Sequence, residues 1–126
     1  MQSRNDVSDF MVAAKQTIYT KPGFNEHNKK QAELYLELVK EEFKELLDGF
    51  ELKDIVEVAD ACADLKWVIE GLEHSLGIPQ QKVWDEVNAS NLSKTVDGKL
   101  LLREDGKVLK PDSYFPPNIK RIIDEA

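Results

Sequence analysis

Between Ile55 and Leu72 the chain is apolar on nearly every side of any helix it could form. Ile55, Val56, Val58, Ala59, Ala61, Cys62, Ala63, Leu65, Trp67, Val68, Ile69 and Leu72 leave only Lys66 and Glu70 as an evident outer strip. A helix that is hydrophobic all round has to be enclosed by other helices or by a second subunit. The expected class is therefore all-α, a bundle of four to five helices that is oligomeric. Set into this apolar segment are three acids, Glu57, Asp60 and Asp64. At ~100° per residue they share one arc of about 60°.

The preceding helix repeats the anomaly. With Glu42 placed at zero, Leu34, Tyr35, Leu38, Val39, Phe43, Leu46 and Phe50 fan across an apolar half that contains Glu42 itself. Glu45 and Glu41 follow at its margin, while Glu33, Glu37, Lys40 and Lys44 take the wet face. A carboxylate directed into an apolar interface is costly without a positive partner, and no Lys or Arg shares either arc. A bound divalent cation resolves the conflict. Two antiparallel helices joined by a short connection at Gly49–Glu51 bring Glu42 and Glu45 opposite the second arc. Four or more oxygens suit a hard cation, Mg²⁺ or Mn²⁺. His27 and His74 are expected at the surface, so zinc is not expected. The bland alternative is a set of solvated or lysine-paired acids on helices that pack differently.

The rest of the chain reads as follows. A first helix starts near Asp6 or Ser8, runs past Ile18 and is broken by Lys21-Pro22-Gly23. The second runs from about Asn28 to Asp48, with Gly49 as its stop. The third spans roughly Leu52 to Leu76 and ends at Gly77; the fourth covers about Pro79 to Asn91. Apolar residues on either side of Asp105-Gly106 predict a β-hairpin over Lys99–Lys110. Asn118 to Glu125 is a last short helix. One domain over residues 1–126 is expected, a helical core at 6–93 with a wrapping tail at 94–126.

Charge is unevenly placed. Residues 1–93 hold 10 basic and 18 acidic side chains, net −8, whereas residues 94–121 hold seven and four, net +3. An acidic body disfavours nucleic acid as a partner. A basic tail beside an acidic centre suits a polyanion held through metal ions, such as a nucleoside triphosphate. A single cysteine, Cys62, excludes an internal disulfide framework and is consistent with a reducing compartment. Positions 1 to 10 show no apolar leader, and no apolar run approaches the ~20 residues that span a bilayer. A cytoplasmic location without membrane association is the expectation.

The order of these residues carries a likeness. Glu41-Glu42-x-x-Glu45 followed by Glu57-x-x-Asp60 resembles the E-E-x-x-E … E-x-x-D signature of the all-α nucleoside triphosphate pyrophosphohydrolases, the MazG-like superfamily. That group includes phosphoribosyl-ATP pyrophosphohydrolases and dimeric dUTPases. The runs Asp60–Leu65, Val87–Lys94, Arg103–Pro111 and Pro116–Ile119 are similar to a small phosphoribosyl-ATP pyrophosphohydrolase-like subgroup. The likeness extends over roughly residues 6 to 123.

The resemblance implies Mg²⁺-assisted hydrolysis of a nucleoside triphosphate to monophosphate and pyrophosphate, by a homodimer or homotetramer. Carried over, Glu42, Glu45, Glu57 and Asp60 are metal ligands, with Asp64 in reserve. Glu41 positions or deprotonates the attacking water. Lys94, Lys107 and Lys110 hold pyrophosphate, Arg103 more weakly, and Asn91 contacts sugar or base. Two rivals stand beside this reading: phosphoribosyl-ATP as the substrate, and a non-catalytic acidic helical protein that binds a partner.

Overall fold

The computed structural model describes residues 5–126. Residues 1–4, part of the segment inspected above for a leader, lie outside the described residues. Helices α1 (Asp6–Ala13), α2 (Lys29–Glu51), α3 (Ile55–Ser75), α4 (Gln80–Leu92) and α5 (Ile119–Asp124) account for most of the fold. A small antiparallel pair, β1 (Thr95–Val96) and β2 (Lys99–Leu100), lies between α4 and α5. The chain divides into two compact units, the first ending at Ile78 and the second running Pro79–Ala126.

The first unit is an α2–α3 hairpin with α1 laid against α3. Val7, Met11, Tyr35 and Val68 form its buried centre, with Ile18, Leu38, Val39, Leu65 and Leu72 packed around them. Gly71 lets the two long helices close on each other. A Cβ there would meet the Tyr35 ring at 2.2 Å. The Tyr35 hydroxyl, at the buried end of that ring, donates to Gln16 Oε1 at 2.6 Å. Ser75 Oγ donates back to Gly71 O, and Gln31 Nε2 donates to Ser75 Oγ, so the polar atoms in this layer are satisfied.

Three boundaries differ from the sequence expectation. The first helix ends at Ala13, well before Ile18. From Thr17 onward the backbone is taken up by other partners: Gln31 bonds both the N–H and the C=O of Thr17, and Tyr19 N–H donates to His74 O. Thr17, Ile18 and Thr20 are β-branched and suit this extended path.

The second difference is at Gly49, which is not a stop. It lies buried inside α2, which continues to Glu51. The helix ends at Leu52, where Lys53 takes the left-handed conformation at φ 55°. Lys53 N–H returns to Phe50 O and Asp54 N–H to Gly49 O, the double closure of a Schellman end. Asp54 Oδ1 then caps α3 by accepting from Glu57 N–H at 3.1 Å. The turn is made by Leu52–Asp54 and not by Gly49–Glu51. Gly77, in contrast, closes α3 as expected, at φ 68°.

The third difference is in the second unit. The Asp105-Gly106 turn carries only one isolated bridge, Leu102 to Val108. The paired strands are β1 and β2, joined by Asp97-Gly98 with φ of 51° and 76°. Both positive angles belong to the primed turns that match strand twist. Within this unit the chain returns to α4: Asn118 N–H donates to Glu86 Oε2, and Ser90 Oγ to Phe115 O. No helix among the described residues is long and apolar enough to cross a membrane.

Candidate metal and nucleotide site

The α2–α3 hairpin sets the acids face to face. Glu42 and Glu45 are one turn apart on α2; Asp60 and Asp64 are one turn apart on α3. Glu42 and Asp64 are half-buried, whereas Glu45, Glu57 and Asp60 are exposed. The Glu42 carboxyl is pushed up to about 7, first by a hydrogen bond shared with Glu45, then by burial and by the charges of Glu45, Asp64 and Asp60. Asp64 is raised by burial, by the charges of Asp60 and Glu45, and by a hydrogen bond with Asp60. These four carboxyls therefore sense one another across the helix interface.

Among the described residues no cation pairs with them. The ion pairs among the described residues join other partners, such as Lys40 with Glu37 and Lys44 with Asp48 on the outer face of α2. Glu42 Oε1 is shut off from solvent and has no hydrogen-bond partner. A buried carboxylate oxygen left unmatched is rare in folded proteins. It is the feature that most invites a cation.

Among the described residues, no three Asp, Glu, His or Cys side chains are drawn together as a closed coordination set. Bare carboxylates repel by about 1 kcal/mol at 4 Å even in water and by more near a protein surface. Without a cation such groups stand apart or share a proton. The donor set still fits a hard cation, being all carboxylate oxygen without imidazole or thiolate.

Glu57 is placed differently from the other ligands inferred from the sequence. Its stem lies against α2 at Gly49, where a Cβ would come 3.0 Å from Glu57 Cγ and 3.2 Å from its Cβ. Glu41 is exposed, outside the group formed by Glu42, Glu45, Asp60 and Asp64. Asn91, Lys94, Lys107 and Lys110 belong to the second unit. Of these, Lys94 donates to Asn91 Oδ1 at 3.1 Å, and Lys94 and Lys110 both lie over the Tyr114 ring. Lys107 is part of the Asp105-Gly106 turn, its N–H donating to Asp105 Oδ1. Arg103 is engaged by Asp105.

Sequence reasoning missed Gly49, against which the stem of Glu57 lies, and Tyr114, whose ring lies under Lys94 and Lys110. A glycine in the interior of an otherwise strong helix pattern was the available signal for the first. An aromatic residue spaced between lysines and prolines was the signal for the second.

The chain is similar to known proteins. The profile of the phosphoribosyl-ATP pyrophosphohydrolase family matches residues 7–91, a stretch that holds Glu41, Glu42, Glu45, Glu57, Asp60 and Asp64. The chain is also 36% identical over 62 residues to uncharacterized protein L479 of Acanthamoeba polyphaga mimivirus, a match covering 49% of this chain and 24% of that protein. The match thus spans about a quarter of the length of that relative. With a family match over well more than half its length, the chain belongs to the phosphoribosyl-ATP pyrophosphohydrolase family, within the MazG-like superfamily of nucleotide pyrophosphohydrolases.

Proposed function

We propose that the protein hydrolyses a nucleoside triphosphate, a deoxynucleotide or a non-canonical one, to the monophosphate and pyrophosphate with Mg²⁺ or Mn²⁺. The observation that carries this reading is the solvent-excluded, unpartnered Oε1 of Glu42 amid three further carboxyls. Glu42, Glu45, Glu57 and Asp60 hold the cation, with Asp64 beside Asp60 as a reserve oxygen. When bound, the cation neutralises the charge that builds on the phosphate oxygens. In the reaction, water adds to the α-phosphorus, the bond from that phosphorus to the bridging oxygen breaks, and pyrophosphate departs. Glu41, exposed beside Glu42 in the chain, positions the water or accepts its proton. Lys94, Lys107 and Lys110 neutralise pyrophosphate, and the Asn91 amide contacts sugar or base.

The assembly is a homodimer or homotetramer. Phe50, Leu52, Ile55 and Val56, at the α2–α3 turn, are 75–77% exposed, which is a large apolar surface for a lone chain. Light scattering is expected to give a small multiple of 14.4 kDa; a monomer at micromolar concentration would contradict the assignment.

Phosphoribosyl-ATP is the second reading, favoured by the description of the matching family. A pyrophosphate-release screen over canonical and damaged nucleoside triphosphates and phosphoribosyl-ATP, with Mg²⁺ or Mn²⁺, separates the two. Glu45→Ala and Asp60→Ala are expected to abolish turnover with helicity intact, and full activity in both would refute the assignment. A non-catalytic acidic protein would have all its acids in solvent. Glu45, Glu57 and Asp60 meet that condition, but Glu42 does not.

A further inference from the structure

Two lysines approach the ring of Tyr114. Lys110 Nζ lies 5.1 Å and Lys94 Nζ 5.8 Å from the centre of its ring, both within the range over which an aromatic face attracts an ammonium. The ring is held in place by its neighbours. Tyr114 N–H closes a turn onto Pro111 O at 3.0 Å. Ser113 Oγ donates to Ser93 O at 3.2 Å, and Phe115 N–H donates to Ser93 Oγ at 3.1 Å. Residues on both sides of Tyr114 are thus pinned to Ser93, the residue before Lys94.

Two like charges gathered on one ring ask for an anion. Three other cations of this unit already have one: Arg103 pairs with Asp105, Lys120 with Asp124, and Arg121 with Glu86 and Glu125. Neither Lys94 nor Lys110 is in an ion pair among the described residues. The side-chain hydrogen bond that Lys94 makes goes to the neutral amide of Asn91, and an ammonium has three donors. Neutral partners leave the charge itself unmatched. Lys107 is not on the ring.

We propose that Tyr114 is a positioning residue that gathers Lys94 and Lys110 into a receptor for a diphosphate group. Two phosphoryl groups in series offer each ammonium its own set of oxygens. A single carboxylate offers fewer. That the diphosphate comes from a nucleotide rests on the pyrophosphohydrolase reading above; the receptor itself does not.

The test is calorimetric titration of the full-length chain with inorganic pyrophosphate in the presence of a chelator. Tyr114→Leu is expected to weaken binding by about two- to tenfold, the loss of one or both exposed ring–ammonium contacts. Tyr114→Phe, which keeps the ring, is expected to restore it. Lys94→Gln and Lys110→Gln are each expected to weaken binding as well. A merely structural tyrosine would lower the melting temperature and leave pyrophosphate affinity alone. Should Tyr114→Leu lose its circular dichroism, the Lys94→Gln/Lys110→Gln double-mutant cycle decides, since two lysines on one anion give coupled losses. Absence of pyrophosphate binding by the wild type, equal affinity in wild type and folded Tyr114→Leu, or independent lysines would overturn the proposal. Ring-dependent binding in a chain that turns over no nucleotide would refute the enzymatic reading alone. Hydrolysis with affinity indifferent to Tyr114→Leu would refute the receptor alone.

Discussion

Replacing Glu42 by Gln converts the electrostatic tension at the α2–α3 interface into a measurable difference in stability. The Glu42 carboxyl rises from 4.5 to about 7 on folding, first through the hydrogen bond with Glu45 and then through burial and neighbouring charge. A raised carboxyl means that the folded chain binds more protons there than the unfolded chain between those two values. Stability from this group is therefore fully present below about pH 4.5 and is lost as pH climbs through about 7. At 1.36 kcal/mol per unit the whole shift corresponds to roughly 3 kcal/mol. One oxygen is shut away, but the side chain as a whole is only half-buried, so solvent screening reduces this to about 1–2 kcal/mol. Glutamine can donate to Glu45 as the protonated acid does, yet it never ionises. With chelator present, thermal or urea melts of wild type and Glu42→Gln should coincide near pH 4.5. By pH 8 the variant should be the more stable by about 1–2 kcal/mol, or about 4–8 °C for a chain of this size. Subtracting the two curves removes the contribution of Glu73, whose carboxyl is also raised but by burial and by Glu70. A pH-independent gap, or a wild type that gains on the variant as pH rises, would refute the reasoning.

Two further substitutions probe how the hairpin is built. Gly71→Ala places a methyl carbon 2.2 Å from the Tyr35 ring, and that ring is tethered at its far end to Gln16. Overpacking outweighs the ~1 kcal/mol gain in helix propensity, so urea melts should show a loss of about 1–3 kcal/mol; a stabilised variant would contradict the packing. Gly49→Ala meets Glu57 Cγ at 3.0 Å, a side chain that can give way, so stability should change by less than about 1 kcal/mol. Displacing Glu57 should nevertheless weaken Mn²⁺ binding by about tenfold, and an unchanged affinity would remove Glu57 from the ligand set.

The helices were legible because their signals are local. The apolar run from Ile55, the stripe through Leu34 and Leu38, and Gly77 at the end of α3 each declare themselves within a few residues. Gly49 was misread because a glycine that ends a helix and a glycine that admits a neighbouring side chain look alike until the neighbour, Glu57, is known. The true turn was hidden because Lys53, a residue with no preference for positive φ, takes that conformation under the closure of Asp54 and Gly49. In the second unit Asp97-Gly98 and Asp105-Gly106 carry the same turn signal, and only pairing tells which makes a ladder. Glu45, Glu57 and Asp60, placed on inward arcs by helical periodicity, are exposed, while the half-buried Glu42 and Asp64 could be read from it. Which acid is most enclosed could not, because that depends on how α2 and α3 are rotated against each other. The outcome sets Glu42 deepest and ties Asp64 to Asp60, while Glu57 sits beside Gly49.

The central claim is that carboxylates of α2 and α3 together hold a divalent cation. Electron paramagnetic resonance of free Mn²⁺, titrated at pH 7.5 into wild type, Glu45→Gln and Asp60→Asn, addresses it without any substrate. The expected result is saturable uptake by the wild type and at least a tenfold weaker uptake by either variant, one from each helix. Equal uptake by all three proteins, with circular dichroism unchanged, would contradict it.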